Sequence, residues 1–366
     1  MIRLSHSAAT KYTECPKSYQ YHYQQKLRAE VQSSALLFGT ALDKSAEHYA
    51  LTKNIEEALD VLERTWTTQD INGTPTDLRT HIGATYSEKD LDIDLLKKED
   101  IKTLNETFET DDIHELLKEV MYNKASVGFA GLSDREKYIY NFSNWLCLRR
   151  KGRLMLKEFK RVFDENVLEV LGSQVKVELE NENGDSVVGF IDFVVRWKGV
   201  EKPVIIDLKT ASRDYDDDAV KKSPQLSLYV YSVSSKYEDT RNCGFVVLSK
   251  NINKNKHKKC SVCGHDGTGT RFKTCDNIVD EVRCNGEWNE TIYPRARSQV
   301  LINTVSEVLT ERVVENFNEI NLAIKANIFP RNFQNCIKYG SIKCPYYSLC
   351  HDNSKEGLIE KTDEKI

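Results

Sequence analysis

The sequence predicts an α/β fold, and three observations predict it. Apolar positions recur at helical spacing over much of residues 15 to 165, alternation of apolar and polar residues takes over near residue 166, and strand and helix patterns follow one another from there on. The 366 residues suffice for one elaborated domain carrying inserted modules and for a sizeable core.

Residues 1–50 read as the N-terminal part of the main domain, helical from Cys15 to Ala50 with a break near Ser33-Ser34. A helical insertion over 51–165 begins with Ile55, Leu59, Leu62 and Trp66 on one face. Residues 70–95, rich in Asp, Thr and Gly, read as loop, and helix returns over 98–165 with Leu116, Leu117, Val120, Trp145, Leu148 and Leu156. The core, 166–250, is where strands are expected. Val175, Val177 and Leu179 alternate with polar residues, Asn183-Gly184 supplies a hairpin turn, and Val187 to Trp197 forms the return strand. Val204 to Lys209 and Cys243 to Leu248 read as two more strands. Between them Ser223-Pro224 opens a helix with Gln225, Leu226, Tyr229 and Val233, since proline suits a first helical turn. Residues 251–290 turn polar and Lys- and Gly-rich, as an inserted module would. Residues 291–355 hold three cysteines after an amphipathic helix from Ala296 to Asn327, marked by Leu301, Val305, Val308, Val313, Phe317, Ile320 and Ile324. A charged tail, 356–366, reads as disordered.

Lys and Arg number 52 against 56 Asp and Glu, a net charge of -4, so any nucleic-acid contact must come from local patches. Arg149, Arg150 and Lys151 open one basic run that continues to Arg161, and Lys254 to Lys259 form another. The mean hydropathy is -0.54, and no run approaches the roughly 20 apolar residues of a membrane span. Met1 to His6 lacks the apolar stretch of a signal peptide, so a cytoplasmic, reducing location is expected. Disulfides are rare there, and ten cysteines then point to metal ligation. Eight fall into two groups, while Cys147 and Cys243 lie in apolar surroundings and read as small buried hydrophobes.

Acidic residues interrupt the predicted core strands. Asp192 sits within Val187-Val188-Gly189-Phe190-Ile191-Asp192-Phe193, and Asp207 and Lys209 follow Val204-Ile205-Ile206. Residues two apart in a strand share a face, so Asp207 and Lys209 project together. Burying such charges is costly unless they pair or bind metal. An ion pair on an edge strand would account for Asp207 and Lys209 but leaves Asp192 unexplained. Phosphodiester hydrolysis explains all three: oxygen ligands hold Mg²⁺ or Mn²⁺, which lowers the pKa of bound water, and a lysine stabilises the developing negative charge.

Gly189-Phe190-Ile191-Asp192, Ile206-Asp207-Leu208-Lys209-Thr210 and Gln225-Leu226-Ser227-Leu228-Tyr229 resemble the ordered motifs of the RecB-like branch of PD-(D/E)XK nucleases, which includes AddB subunits and the CRISPR-associated exonucleases. Leu4-Ser5-His6-Ser7 and Tyr12-Thr13-Glu14-Cys15-Pro16 resemble the opening of that group, and Phe38-Gly39-Thr40-Ala41-Leu42-Asp43 its next motif, with Asp43 where many members carry histidine. The resemblance implies a mixed sheet flanked by helices and a divalent metal held by Asp43, Asp192, Asp207 and the Leu208 carbonyl. It further implies Lys209 assisting attack, Gln225 positioning that lysine or the substrate, and Tyr229 near the DNA strand. Glu178 matches loosely an acidic position upstream. The activity implied is an exonuclease on single-stranded DNA or DNA ends in recombination, repair or phage and CRISPR-type processing, with a helicase or recombination protein as a further candidate partner. An end-binding accessory protein with little nuclease activity and a flap or junction endonuclease are the alternatives.

The first cysteine group is Cys15 with Cys336, Cys344-Pro345 and Cys350. Four thiolates suit either an iron-sulfur cluster or zinc, and the same resemblance implies a 4Fe-4S cluster. The second group is Cys260-x2-Cys263-Gly264 with Cys275 and Cys284. A C-x2-C knuckle is a zinc signal, with His265 able to replace one thiolate, and a polar insert this short needs such a staple to fold as a zinc-ribbon-like unit.

Overall fold

The computed structural model describes residues 2–29, 34–66, 91–128, 131–180, 184–279, 282–338 and 342–361. Strand β1 (Arg3–Ser5) ends in Ser5, whose side chain accepts from the Ala8 N–H at 3.1 Å and so starts α1 (His6–Glu14). Pro16 opens α2 (Pro16–Tyr19), a π-helical turn follows over Gln20–Gln24, and β2 (Leu27–Ala29) precedes α3 (Ser34–Thr52). Helices α4 (Ile55–Thr65), α5 (Lys98–Phe108), α6 (Ile113–Val127) and α7 (Asp134–Asn166) follow. Ser133 and Glu136 cap α7 reciprocally, each side chain taking the other's backbone N–H. The loop expected over residues 70–95 and Asn183 of the hairpin turn fall largely or wholly outside the described residues; Gly184 of that turn has φ +73°.

From here the chain builds its main sheet with β3 (Val167–Glu180), β4 (Ser186–Trp197), β5 (Val204–Ala211), helix α8 (Pro224–Val233) and β6 (Asn242–Ser249). The cysteine insert contributes β7 (Asn253–Cys260), β8 (Ile278–Val279), β9 (Val282–Arg283) and β10 (Trp288–Arg295). The chain then re-enters the sheet as β11 (Ser298–Thr304) and continues into α9 (Glu307–Lys325). The sheet order is β1-β4-β5-β6-β11, with β3 on the other side of β4. Strand β1 runs parallel to β4 and β5 parallel to β6, while β3–β4, β4–β5 and β6–β11 are antiparallel, so the sheet is mixed.

Helices cover both faces, which is why the strands are apolar on both sides. On one face Phe193, Val195, Ile206, Leu208, Val246 and Leu248 pack with Phe38, Leu42, Phe159 and Phe163 of α3 and α7. On the other, Val194, Ile205 and Val247 meet Leu226, Tyr229, Val230 and Val233 of α8. A third cluster joins Leu4, Ala8, Ala9 and Tyr12 to Val313, Phe317, Ile320 and Ile324 of α9.

Two expectations are corrected. The helix read over Ala296–Asn327 is a strand, Ser298–Thr304, followed by a helix from Glu307. The run Val300-Leu301-Ile302 satisfies its backbone against β6, and Ser306 accepts the Leu309 N–H to start the helix only afterwards. The tail read as disordered contains strand Leu358–Glu360, paired antiparallel with β2, beyond two short strands, Ile337–Lys338 and Ile342–Lys343, and a helical turn Tyr347–His351. No helix among the described residues is long and apolar enough to cross a membrane.

Candidate active site and cysteine centres

Strands β4 and β5 pair only as far as Phe193–Ile206. Where the ladder stops, the Asp192 carboxylate takes over, its Oδ2 accepting the Leu208 N–H at 2.8 Å. The opening between the strands is therefore bridged by a side chain, and its carboxylate lies beside Asp207. Asp207 is 2 % exposed, and its Oδ2 lies 2.6 Å from Lys209 Nζ. Gln225, in the first turn of α8, ties these groups together. Its Oε1 accepts from Lys209 Nζ at 3.1 Å, and its Nε2 donates to Asp207 Oδ1 at 2.9 Å and to the Tyr229 hydroxyl at 2.8 Å. Spacing of four along the helix gives Gln225 and Tyr229 a common face. Gly189 leaves room for that tyrosine, since a Cβ there would meet Tyr229 Cε1 and Val177 Cγ2 at 3.2 Å each.

Asp43, from the middle of α3, completes the cluster. Burial first, and then the charge of Asp192, push its carboxyl up to about 7 against the pull of Lys209. Asp192 is likewise pushed up to about 7 by burial and by Asp207, despite the Leu208 N–H and Lys209. Asp207 is raised by burial against the pull of Lys209. Burial disfavours charge on Lys209, yet Asp207 and Asp192 outweigh it and hold the ammonium above its ordinary pKa. Three carboxylates facing one ammonium leave an excess of negative charge in a desolvated place, the condition a divalent cation relieves. Carboxylate oxygens are the donors that Mg²⁺ and Mn²⁺ take, although among the described residues Asp43, Asp192 and Asp207 are not drawn within the 4.8 Å that gathers the four cysteines of the insert.

Two further residues, Gln174 and His6, reach this site without having drawn notice as functional. Gln174 lies opposite Asp192 in the β3–β4 ladder, has φ +45°, and donates from Nε2 to Asp192 Oδ1 at 3.4 Å. A positive φ in mid-strand is strained, and such strain clusters at functional sites. Its neighbour Ser173 donates to Glu47 of α3 at 3.3 Å. His6 is held below its ordinary pKa by burial and by the charge of Lys209. No motif marks Gln174 or Glu47; His6 stands in the opening motif but at no position with an assigned role.

A family model described as the PD-(D/E)XK nuclease superfamily matches residues 3–351. The chain belongs to that superfamily. No curated protein matches it. Members of this superfamily are generally nucleases that work with divalent metals, and the carboxylates gathered around Lys209 supply the chemistry for that.

Other expected site residues fare differently. Lys151 is 3 % exposed, so it cannot reach a phosphate. Arg149 is engaged by Asp100 at 2.9 Å and Glu63 at 3.6 Å, which also accepts from Arg153; Arg150 lines the same cleft. Helical periodicity turns consecutive residues to different faces, which a run of basic letters does not reveal. Glu178 pairs with Arg3 at 3.0 Å and Lys176 at 2.6 Å at the surface. Cys147 and Cys243 are fully buried, and burial pushes both thiols up to about 12.

The insert brings Cys260, Cys263, Cys275 and Cys284 together with all ligand atoms within 4.8 Å of one another. Cys260 and Cys284 sulfurs are 3.5 Å apart, and those of Cys263 and Cys275 3.7 Å. A tetrahedral zinc at ~2.3 Å from each thiolate sets its ligands ~3.8 Å apart, so the set fits. Backbone N–H groups of Cys263 and Val262 point at Cys260 and lower its thiol to about 6. His265 gives this knuckle only its carbonyl, which accepts the Cys260 N–H at 2.9 Å. Cys15, Cys336, Cys344 and Cys350 line a separate pocket with Ser18, Arg331 and Tyr346.

Proposed function

We propose that this superfamily member is a Mg²⁺- or Mn²⁺-dependent deoxyribonuclease of the RecB-like branch, acting as an exonuclease on single-stranded DNA or DNA ends. The observation that carries this reading is the buried Asp207 and half-buried Lys209 clamped by Gln225, with the half-buried Asp192 and Asp43 beside them. Asp43, Asp192 and Asp207, aided by the Leu208 carbonyl, would hold the metal, which when bound supplies Lewis acidity and an activated water. Lys209 stays protonated because two carboxylates outweigh its burial, so it acts as a cation that orients the attacking water and steadies charge on the phosphate. Gln225 keeps Lys209 and Asp207 in register by bonding both, while Tyr229, expected near the DNA strand, is 4 % exposed and packed against Val230 and Val233, so its part is to hold the Gln225 amide through its hydroxyl.

Cys260, Cys263, Cys275 and Cys284 hold zinc, and Cys15, Cys336, Cys344 and Cys350 hold a 4Fe-4S cluster that staples α2 to the segment after α9. Only the first set is drawn close enough, among the described residues, for a single metal ion. The second set lines one pocket, and the resemblance to the RecB-like opening at Cys15-Pro16 favours a four-iron cluster there over zinc. An accessory protein lacking activity would have no use for an intact Asp192, Asp207 and Lys209.

Linear single-stranded DNA labelled separately at each end, with Mg²⁺ and with Mn²⁺, tests the activity and its polarity. Progressive loss from one end is expected. Lys209→Ala should abolish cleavage while DNA affinity, set largely by phosphate contacts elsewhere, persists. Near-normal cleavage by purified Lys209→Ala overturns the assignment.

A further inference from the structure

The zinc module has no task in the chemistry above, yet it stands at the catalytic end of the sheet. Lys209 pairs with Val247, and β6 ends two residues further on, at Ser249, before running into β7. The module is pinned there: Lys254 reaches Asp92 at 2.7 Å and Asp94 at 2.8 Å, and Arg295 reaches Glu158 at 3.8 Å.

One loop of this module exposes an aromatic ring between two cations, Arg271-Phe272-Lys273, all three on the surface. Phe272 is 54 % exposed. The loop is held rather than loose, because the Trp288 indole N–H donates to the Phe272 carbonyl at 3.1 Å. Trp288 in turn lies so close over Gly267 that a Cβ there would meet the indole at 2.3 Å. Arg283, from β9, sets its guanidinium 5.6 Å from the centre of the Phe272 ring. Among the described residues Arg271, Lys273 and Arg283 form no ion pair with a carboxylate, whereas Lys254 and Lys258 of the same module do. An apolar partner would account for the ring alone. Three cations that form no ion pair among the described residues, set around one rigid, exposed ring, match a polyanion that also offers flat bases, and that is a single nucleic-acid strand.

We infer that the zinc module is a grip for one unpaired strand, stacking a base on Phe272 while Arg271, Lys273 and Arg283 hold its phosphates. The inference rests on the nuclease reading for its substrate class, but its test reads binding, not cleavage. Full-length protein with its metals, in buffer without added Mg²⁺ or Mn²⁺, is titrated into a fluorescent oligothymidylate and, separately, a blunt duplex. Phe272→Ala should weaken the single strand about 10-fold and the duplex little. Phe272→Trp should restore or exceed parental affinity. Arg271→Ala with Lys273→Ala should flatten the slope of log affinity against log salt by about 1.4, two phosphates' worth for a single strand. Zinc content and melting midpoint, measured alongside, confirm that each variant keeps the module folded.

Phe272→Ala with full zinc and parental affinity for the single strand overturns the inference, and hands the exposed ring to a protein partner instead. Equal losses on strand and duplex overturn it too, since stacking requires an unpaired base. Should the grip behave as described while no cleavage occurs with either metal, the grip stands and the nuclease reading falls.

Discussion

Replacing Asp43 by asparagine removes one of three crowded carboxylates while keeping the shape of the side chain. In the folded, metal-free chain Asp43 and Asp192 ionise near 7, against 3.8 ordinarily. Between those values the folded state holds more protons than the unfolded one, so metal-free stability falls as pH rises from about 4 to about 7 and levels off above. For Asp43 that displacement is worth at most about 4 kcal/mol. Asp43→Asn should therefore stabilise the metal-free protein at pH 8 by up to this amount. For a chain of 366 residues this raises the melting midpoint by roughly 5 °C. Near pH 4 the two proteins should melt together, because Asp43 is protonated in the folded parent and half-protonated in the unfolded one. Metal affinity should move the opposite way, since a charged ligand has gone, and fewer protons should be released per Mg²⁺ bound near pH 6. Melts in Mg²⁺-free buffer across this range, and calorimetric Mg²⁺ titration in two buffers of different ionisation enthalpy, read both effects. A variant whose melting midpoint and Mg²⁺ affinity follow the parent at every pH would refute the placing of Asp43 in the charged cluster.

Gln225→Ala should lower turnover about 10- to 100-fold with DNA affinity kept, since Lys209 and Asp207 lose a shared partner bonded to both charges; unchanged turnover would make the glutamine incidental. Gly189→Ala crowds Tyr229 and Val177 and should cost about 1–3 kcal/mol of stability, read by urea unfolding. Cys263→Ser should release zinc yet leave the nuclease core folded, whereas Cys344→Ser should remove broad absorption near roughly 400 nm and loosen the whole molecule. Iron, sulfide and zinc analysis of anaerobically purified protein checks both, and zinc without iron would leave two zinc sites.

The core strands and the α8 helix were legible because each carries its own signal: alternation in Val175–Leu179, apolar runs in Val204–Ile206 and Cys243–Leu248, and Ser223-Pro224 at a helix start. Strand Ser298–Thr304 was not, because its apolar residues run on into the α9 pattern and only pairing with β6 separates them. Asp192, Asp207 and Lys209 stood out as charges inside apolar strands. Gln174 did not, since its relevance comes from a positive φ and from lying opposite Asp192 across the ladder, both products of the folded backbone. Lys151 misled for the reverse reason: its charge is plain in sequence, while its burial is decided by which side of α7 it occupies.

The pairing of β1 and α1 with α9 bears on how the protein is made. Leu4, Ala8, Ala9 and Tyr12 are covered by Val313, Phe317, Ile320 and Ile324, and the Tyr12 hydroxyl donates to the Ile328 carbonyl at 2.6 Å. At about 5–20 residues per second on the ribosome, these early apolar side chains wait on the order of tens of seconds for their partners to be synthesised. During that wait β1 cannot be held from both sides, although Ser186–Val188 of β4 is already there to receive it. A chain interrupted before α9 would thus carry every carboxylate of the candidate site with an apolar N-terminal surface left open, marking unfinished copies for chaperones and proteases.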